Sequence, residues 1–417
     1  MTTQHPTDTP VTGQSRPLLR IFLVLFINLT AFGIAIPILP ALCKDMGGTG
    51  LSVGLLFTLQ ALGQFIMAPR WGSLSDRIGR KKTLLLTLLF ASIIDLLTAF
   101  SPTLIALFVI RFCAGIFSGN VATASAYIAD VTPIKDRSKG MAVIGIGFGL
   151  GFTFGPALGA MISYLAPDTP GALGVGLPFI VSSALNIIAL IVGSILLKEP
   201  TRSSEERKKR RELFKGQAAD IKPSQFLERK EVAHLTRFLV GYSIAVTIME
   251  TTLFYYMNAR YQYDERQVGM IFASMGLLAS LVQGGAVGRI SRKIGDRKMM
   301  ILGGIALGTG LLLATTYQVL WFLLAWLALA AIGRALTQPA SLSMMSAQAR
   351  GPHESGALMG IQQSANSAGR IIGPLVGGWL FDSVSKQSPF IAAGVVMLLS
   401  IAFWAKASAT SKEAQNA

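Results

Sequence analysis

Long apolar runs separated by short polar stretches recur along the whole chain. A helix that crosses a bilayer needs roughly 20 apolar residues, and each run has about this length. The pattern predicts twelve spans, at 18–40, 51–70, 83–101, 104–128, 140–165, 175–197, 236–257, 268–288, 299–317, 320–346, 356–381 and 388–407. One long hydrophilic stretch, 198–235, separates the first six spans from the last six.

Two pairs of motifs indicate that the second six spans repeat the first six. The stretch 72–82 (GSLSDRIGRKK) recurs in outline at 288–298 (GRISRKIGDRK), 216 residues later. A Gly-x-x-x-Gly-Pro stretch that begins at Gly151 recurs at Gly369, 218 residues later. Membrane proteins built from two such copies place their binding site between the halves, which is a transporter plan.

The predicted fold is therefore all-α, with twelve transmembrane helices in two pseudo-symmetric six-helix bundles. We expect the chain to divide into a disordered tail 1–15, an N-terminal bundle 16–197, a linker 198–235, a C-terminal bundle 236–407 and a tail 408–417.

The composition supports a membrane protein. Of 417 residues, 52% are hydrophobic and 14% are charged, which is more apolar surface than a soluble domain hides. The first run is too long for a cleaved signal peptide and lacks a small-residue cleavage site. We expect a monomeric multi-pass protein of the inner (cytoplasmic) membrane. Its expected partners are the lipid bilayer, protons and a small-molecule substrate.

The net charge of +16 is distributed unevenly over the loops. Counted from a cytoplasmic amino terminus, the outer loops hold only Lys44, Arg260, Arg266 and Lys386, and the remaining loop cations lie on the inner side. This is the positive-inside bias, so both termini are expected in the cytoplasm. The basic excess then faces anionic lipid, and binding of nucleic acid is not expected.

The sequence contains no His-Glu-x-x-His motif and no phosphate loop, two motifs that carry enzyme chemistry. Cys43 and Cys113 fall in or beside spans and are expected to pack as small apolar side chains. We therefore predict no enzyme activity, no metal site and no cofactor.

The stretch 72–82 combines turn-forming glycines with charge. Gly72 and Gly79 allow a tight turn between antiparallel helices, and Asp76 is placed to face the amino end of a helix. The full pattern resembles the signature loop between helices 2 and 3 of the major facilitator superfamily. The resemblance implies a cytoplasmic gate, formed by Gly72, Asp76, Arg77, Gly79 and Arg80 together with Asp130. The copy at 288–298 has Arg292 where Asp76 stands, so we expect this second gate to lack the acidic contact.

A second glycine motif lies in the fifth span. Glycines four residues apart allow close helix packing, and a proline inside a helix removes one hydrogen bond and kinks it. The residues are Gly151, Gly155, Pro156 and Gly159. This pattern is similar to that of drug/proton antiporters of the superfamily, which implies export rather than uptake.

The stretches 95–104 (DLLTAFSPTL), 111–115 (RFCAG) and 126–133 (AYIADVTP) strengthen the resemblance. They look like the tetracycline/proton antiporter group. Members of that group carry an acidic residue in the first helix, where Asn28 stands here. This difference bears on the substrate and leaves the transporter assignment unchanged.

Ionisable residues within spans indicate function, because each costs several kcal/mol unless it faces a cavity or a partner. Burial disfavours the charged form of a carboxylate, which suits a group that binds and releases a proton. The proton-coupling candidates are Asp95, Glu250 and Arg111. The alternative for each carboxylate is a structural ion pair with an arginine.

Polar side chains at helical spacing outline an expected substrate cavity. Its predicted residues are Asn28, Gln60, Gln64, Arg334, Gln338, Gln363, Asn366 and Arg370. The alternative is that they join helices by hydrogen bonds. The most consistent interpretation is a proton-coupled efflux antiporter that exports a small amphipathic or apolar compound, such as a drug, by alternating access. The alternatives are a lipid or glycolipid exporter and a nutrient uptake symporter of the same fold.

Overall fold

The computed structural model describes residues 15–132, 137–166, 173–200, 223–316, 319–349 and 352–416. Residues 1–14 of the predicted tail 1–15 and residues 201–222 of the predicted linker 198–235 lie outside the described residues. The described residues fold into α-helices and contain no strand. Apolar runs form these helices because only a structure that satisfies its own backbone hydrogen bonds is stable in lipid.

The helices of the first half are α1 (Ser15–Asp45), α2 (Gly50–Ile78), α3 (Arg80–Ala99), α4 (Leu104–Phe117), α5 (Asn120–Val131), α6 (Arg137–Leu165) and α7 (Leu177–Leu196). Those that follow are α8 (Pro223–Glu228), α9 (Lys230–Tyr261), α10 (Glu265–Val282), α11 (Gly288–Ala314), α12 (Leu320–Ala347), α13 (Pro352–Ser383) and α14 (Ser388–Asn416). A π-helical segment, Gln283–Val287, joins α10 to α11.

Nine helices of the described chain are long and apolar enough to cross a membrane. One of them, Glu265–Ala314, spans 50 residues and turns back at Gly295, which has a φ of 79°, so it forms two spans. The other two spans are α6, whose apolar part is Gly149–Leu165, and α13, whose apolar surface is interrupted by polar residues. The fold thus accounts for the twelve predicted spans.

The two halves repeat the same helix packing. In the first half α1 packs on α6 and α7, while α3 packs on α7. In the second half α9 packs on α13 and α14, while α11 packs on α14. The glycine motif forms the corresponding contact in each half: a Cβ on Gly155 would lie 2.7 Å from the Thr30 carbonyl oxygen of α1, and one on Gly373 would lie 2.9 Å from the Ile244 carbonyl oxygen of α9.

Both halves place their motif loops at the same end of the bundle. The end of α1 meets the end of α9, because Lys44 Nζ donates to Asn258 Oδ1 at 2.6 Å. The turns at Gly79 and Gly295 therefore share the opposite end, which we call the basic end; the end at Lys44 is the far end. The domain boundaries stay predictions, although α9 begins at Lys230 and α14 continues to Asn416.

Contacts between the halves are made by α2 with α13 and by α6 with α10. At the far end these helices approach closely: a Cβ on Gly269 would lie 2.7 Å from Ala160 Cβ. Towards the basic end, a Cβ added to Gly72, Gly284 or Gly360 would meet no atom within 4 Å. The halves pack closely at the far end, and they also meet nearer the basic end, where Thr153 Oγ1 of α6 and Ser280 Oγ of α10 lie 2.7 Å apart.

Candidate functional site

A cavity lies between the halves at the centre of the bundle. Its walls come from α1 and α2 of the first half and from α9 and α13 of the second half. The lining residues are Phe32, Ile36, Phe57, Gln60, Ala61, Gln64, Thr247, Glu250, Thr251, Arg370 and Pro374. Most of this surface is apolar or aromatic, and a few polar groups are aimed into it, as in pockets for small molecules.

A second cavity extends into the first half. Its lining residues are Asn28, Phe32, Ala35, Gln60, Thr87, Ala91, Ile94, Asp95, Arg111, Ala114, Phe117, Ser118, Asn120 and Asn186. Phe32 and Gln60 line both cavities. The acidic side chain of α3 therefore lies on a branch of the central cavity.

Asp95 lies on the wall of this branch and is held by one helix. Its Oδ2 accepts hydrogen bonds from Ser182 Oγ at 2.6 Å and from Asn186 Nδ2 at 2.9 Å, both on α7. Its Oδ1 receives no hydrogen bond from the described residues. One carboxylate oxygen is thus fixed by neutral donors, and the side chain lines the second cavity.

Three asparagines continue the hydrogen-bond chain from Asp95 across the first half. Asn186 Oδ1 accepts from Asn28 Nδ2 at 2.7 Å, and Asn28 Oδ1 accepts from Asn120 Nδ2. The chain joins α3, α7, α1 and α5. Asn28, where the resemblance placed an acidic residue, therefore bridges two amides and adds no charge.

Arg111 lies near Asp95 without forming an ion pair with it in the described structure. Its Nη2 donates to the Thr98 hydroxyl, and its guanidinium lies 5.8 Å from the centre of the Phe179 ring. The Nε atom is buried and has no hydrogen-bond partner among the described residues. Arg111 supplies positive charge beside Asp95 and leaves that carboxylate unpaired.

Glu250 of the second half has the opposite arrangement. Its Oε1 forms an ion pair with Arg334 Nη1 at 2.6 Å, and both side chains are less than a third exposed. Arg370 of α13 faces the same carboxylate and lies over the Phe32 ring of α1, with 5.8 Å from its guanidinium carbon to the ring centre. This contact joins the two halves across the central cavity through a cation–π interaction.

The fourth span is broken, whereas the sequence predicted one continuous helix at 104–128. Helix α4 ends at Phe117 and α5 begins at Asn120, so Ser118 and Gly119 interrupt the helix beside the cavity. Trp71 Nε1 donates to the Ile116 carbonyl at 2.6 Å and satisfies a carbonyl freed by the break. Non-helical backbone at membrane depth is tolerated where it lines a cavity, and Ser118 and Asn120 both do so here.

The predicted gate residues meet at the basic end. Arg80 forms an ion pair with Asp76 at 2.6 Å and with Asp130 at 3.1 Å. The carboxylate at the amino end of α3 is that of Glu199, which accepts from the backbone amides of Arg80 at 2.6 Å and Lys81 at 3.0 Å. The prediction that Asp76 faces a helix end is thus not met in this state, because Glu199 fills that place. Arg77 is exposed, and Gly79 makes the turn with a φ of 106°.

The second copy of the loop has an acidic contact that the sequence analysis did not predict. Asp296, which follows the turn glycine as Arg80 does in the first copy, accepts from Ser291 at 2.5 Å and from Ser343 at 2.5 Å. The two copies keep the same turn and the same serine contact but exchange the sign of the charge. The expectation that the second loop lacks the acidic contact of Asp76 concerned the position of Arg292, and Asp296 is an acidic group at a different position of the loop.

Not every predicted cavity residue lies on a cavity wall. Gln60, Gln64, Asn28 and Arg370 do. The side chains of Gln338 and Gln363 are exposed, and neither residue lines the two cavities described above. The Asn366 carbonyl accepts from Ser243 at 2.9 Å, so this residue joins α13 to α9.

Several residues that shape the site were not predicted from the sequence. Ser182 and Asn186, one turn apart on α7, hold Asp95, and their polar spacing in an apolar span was a usable signal. At the far end, Asp382 accepts from the backbone amides of Gly50 at 3.1 Å and Leu51 at 2.7 Å. The capping role of Asp382 could not be predicted, because a carboxylate at the end of a span looks in the sequence like an ordinary loop residue.

This arrangement, two repeated bundles around a central cavity with ionisable groups, defines a transporter of small molecules. The family model of the Major Facilitator Superfamily matches residues 21–285 and 232–417. The chain belongs to this superfamily.

Relatives within the superfamily share sequence over most of their length. The chain is 31% identical over 378 residues to the tetracycline resistance protein, class E, of Escherichia coli, covering 89% of each chain. It is 29% identical over 395 residues to multidrug resistance protein 2 of Bacillus subtilis (strain 168), covering 91% of this chain and 93% of the relative.

Solved structures share the fold. A bacterial homologue of the human lysosomal transporter Spinster, inward-facing and occupied, aligns with a TM-score of 0.77 at 15% identity over 97% of this chain and 98% of that one. The human organic anion transporter MFSD10 (TETRAN) aligns with a TM-score of 0.68 at 24% identity over 94% and 99%. At these identities the likeness concerns the fold alone.

Proposed function

We propose that this chain is a proton-coupled antiporter that exports a small amphipathic or apolar compound by alternating access, with Asp95 as its proton carrier. The observation that carries the proposal is the position of Asp95: its side chain lines the cavity, and among the described residues no donor bonds to its Oδ1 and no arginine forms an ion pair with it. Relatives named tetracycline and multidrug resistance proteins support export of drug-like compounds.

A proton reaches Asp95 from the cavity and binds Oδ1, the oxygen left without a donor. Protonation changes the charge of the cavity wall by one unit. Inside a membrane protein this charge change has a large effect on the interaction energy with nearby groups, because the interaction between charges grows as the local dielectric constant falls. The carboxylate can therefore favour one conformation when charged and another when neutral.

We assign Glu250 a different part. Its ion pair with Arg334 holds its charge against a fixed partner, and Arg370 stands on its other side. Glu250 is thus paired with one guanidinium group and lies near the charge of a second, so its own charge is already compensated. Glu250 therefore anchors the second half of the cavity wall, and Asp95 carries the proton.

We expect substrate to enter from the cytoplasm. The basic loops favour the cytoplasmic side for the basic end, and the two halves pack closely at the far end. An amphipathic compound would enter the central cavity and pack on Phe32, Ile36 and Phe57. Gln60 and Gln64, one turn apart on α2, offer amide groups to its polar part.

Transport by purified protein in liposomes tests the proposal. The vesicles receive an imposed pH gradient, and accumulation of tetracycline and of ethidium is followed by fluorescence, with Asp95→Asn as the matched variant. Proton-driven movement of either probe against its gradient, absent in Asp95→Asn, is the expected result. Movement in the same direction as the protons indicates an uptake symporter, and flip of a fluorescent lipid with no movement of either probe indicates a lipid exporter. Either outcome would overturn the antiporter proposal.

A further inference from the structure

One hydroxyl group lies between the candidate proton carrier and a neighbouring helix. Ser182 Oγ is 2.6 Å from Asp95 Oδ2 on α3 and 3.0 Å from the Ala31 carbonyl oxygen on α1. Ser182 is 1% exposed, so water does not compete for its hydrogen bonds. Both neighbours are acceptors, and a serine hydroxyl has one proton to donate.

The single proton of Ser182 makes its two contacts mutually exclusive. While Asp95 is ionised, the hydroxyl donates to the carboxylate, because a bond to an ionised acceptor is roughly twice as strong as a neutral one. When a proton from the cavity binds Oδ1, Oδ2 becomes a neutral carbonyl oxygen. The Ser182 hydroxyl then rotates to the Ala31 carbonyl, and its own O–H bond stays intact throughout.

The Ala31 carbonyl lies close to the contact between α1 and α6. Two residues further along α1, a Cβ on Gly33 would lie 2.6 Å from the Gly151 carbonyl oxygen. Helix α6 in turn packs on α10 of the second half, where a Cβ on Gly269 would lie 3.3 Å from the Pro156 carbonyl oxygen. A packed path thus runs from Asp95 through Ser182, α1 and α6 to the contact between the halves.

We infer that Ser182 is the positioning residue that couples protonation of Asp95 to helix α1, through exchange of its hydroxyl between the two acceptors. The inference rests on the proposed function, in which Asp95 carries the proton. The charged group that faces Asp95 from α4 is Arg111, and the groups that contact it from α7 are the neutral Ser182 and Asn186. Coupling of this kind requires a group with two alternative arrangements, and the Ser182 hydroxyl, which bonds to either Asp95 or the Ala31 carbonyl, is such a group.

Two measurements on the full chain in lipid test the inference. Infrared difference spectra across a pH titration report the carboxylic C=O band of Asp95, which Asp95→Asn identifies by removing it. Electron–electron distance measurements between spin labels at Asp45 and Gln262, exposed residues of the two halves at the far end, report opening. Cys43 and Cys113 are replaced by alanine in this background, because both are free thiols.

The matched control is Ser183→Ala. Ser183 is also a buried serine of α7, but it bonds to Ser92 of α3, at 2.8 Å to the carbonyl and 2.9 Å to the hydroxyl, and does not touch Asp95. We expect Ser182→Ala to keep the Asp95 band, with its midpoint moved by about one pH unit, the size set by a lost charge-assisted bond. The far-end distances should then no longer respond to pH. Ser182→Thr, which keeps the hydroxyl, and Ser183→Ala should both respond as the unmodified protein does.

The other outcomes distinguish failure of the Ser182 inference from failure of the proposed function. If Ser182→Ala shows the unmodified pH response of the far-end distances, or if Ser183→Ala loses it equally, Ser182 is not the coupling residue and the proposed function stands. If the unmodified protein shows no titrating Asp95 band, both Asp95 as carrier and the inference are overturned. If Ser182→Ala fails to fold, a loss of pH response in Ser182→Cys, whose thiol is a weak donor, supports the inference and an unmodified response contradicts it.

Discussion

Asp382, at the end of α13, caps the amino end of α2, accepting the backbone amide of Leu51 at 2.7 Å. The two helices belong to different halves, so the contact holds the far end closed. Carboxylates are stabilised at helix amino ends, where backbone N–H groups lack partners and the helix dipole is positive. The neighbouring bond from Lys44 to Asn258 and the bond from the Tyr255 hydroxyl to the Gly48 carbonyl close the same end.

Removal of the Asp382 carboxylate should shift the protein towards a state open at the far end. A capping carboxylate contributes about 0.5–2 kcal/mol, so Asp382→Ala should raise the far-end-open population several-fold. Spin-label distances between Asp45 and Gln262 measure this population. Asp264→Ala is the control, because Asp264 caps α10, the helix that directly follows it in the same half of the protein. An equal shift in both variants would contradict a gate role for Asp382.

Larger side chains at Gly155 should separate α1 from α6. A Cβ at this position would lie 2.5 Å from Gly33 Cα and 2.7 Å from the Thr30 carbonyl oxygen, both backbone atoms. Gly155→Ala should therefore destabilise the folded protein by about 1–3 kcal/mol, the usual cost of overpacking. Thermal unfolding in detergent measures the effect. Gly72→Ala serves as the control, because a Cβ there meets no atom within 4 Å, and a larger loss in that control would contradict the packing argument.

The ion pair between Glu250 and Arg334 should be worth more to folding than to proton transfer. Arg334→Gln leaves Glu250 without its 2.6 Å partner and should destabilise the protein by about 1–3 kcal/mol, below the value for fully buried pairs. The double variant Glu250→Gln, Arg334→Gln should recover part of this loss. Unfolding of the four proteins gives the coupling energy, and a coupling near zero would show that the pair is not structural.

The fold could be predicted from the sequence more fully than the site could. Long apolar runs fix the spans because lipid leaves few alternatives. Gly79 makes the predicted turn with a positive φ, and Gly295 makes the corresponding turn of the second half, whereas Gly72, also expected in the turn, lies within α2. The carboxylate that caps α3 could not be predicted, since Glu199 lies 119 residues from Arg80 and its loop has no pattern of its own. Hydrogen bonds such as that from Ser182 to Asp95 depend on helix rotation, which apolar periodicity in a membrane span does not set.

The gate loop gives a prediction that separates an exposed from a buried acidic group. Asp76 is 66% exposed and Asp130 is 8% exposed, although both pair with Arg80. Asp76→Asn should slow transport without lowering the yield of folded protein, because exposed pairs contribute only about 0–1 kcal/mol. Asp130→Asn should lower both, since it removes the buried partner of Arg80. Equal yields for the two variants, measured by gel filtration, would argue against this difference.

The measurement that tests the account most directly compares Asp95→Asn with the unmodified protein. Asparagine keeps the size of the side chain and can still bond to Ser182 and Asn186, but it cannot take up a proton. In liposomes with an imposed pH gradient, proton-driven export of tetracycline or ethidium should be lost, while yield and thermal stability stay unchanged. Export by Asp95→Asn at the unmodified rate would contradict the assignment of Asp95 as the proton carrier.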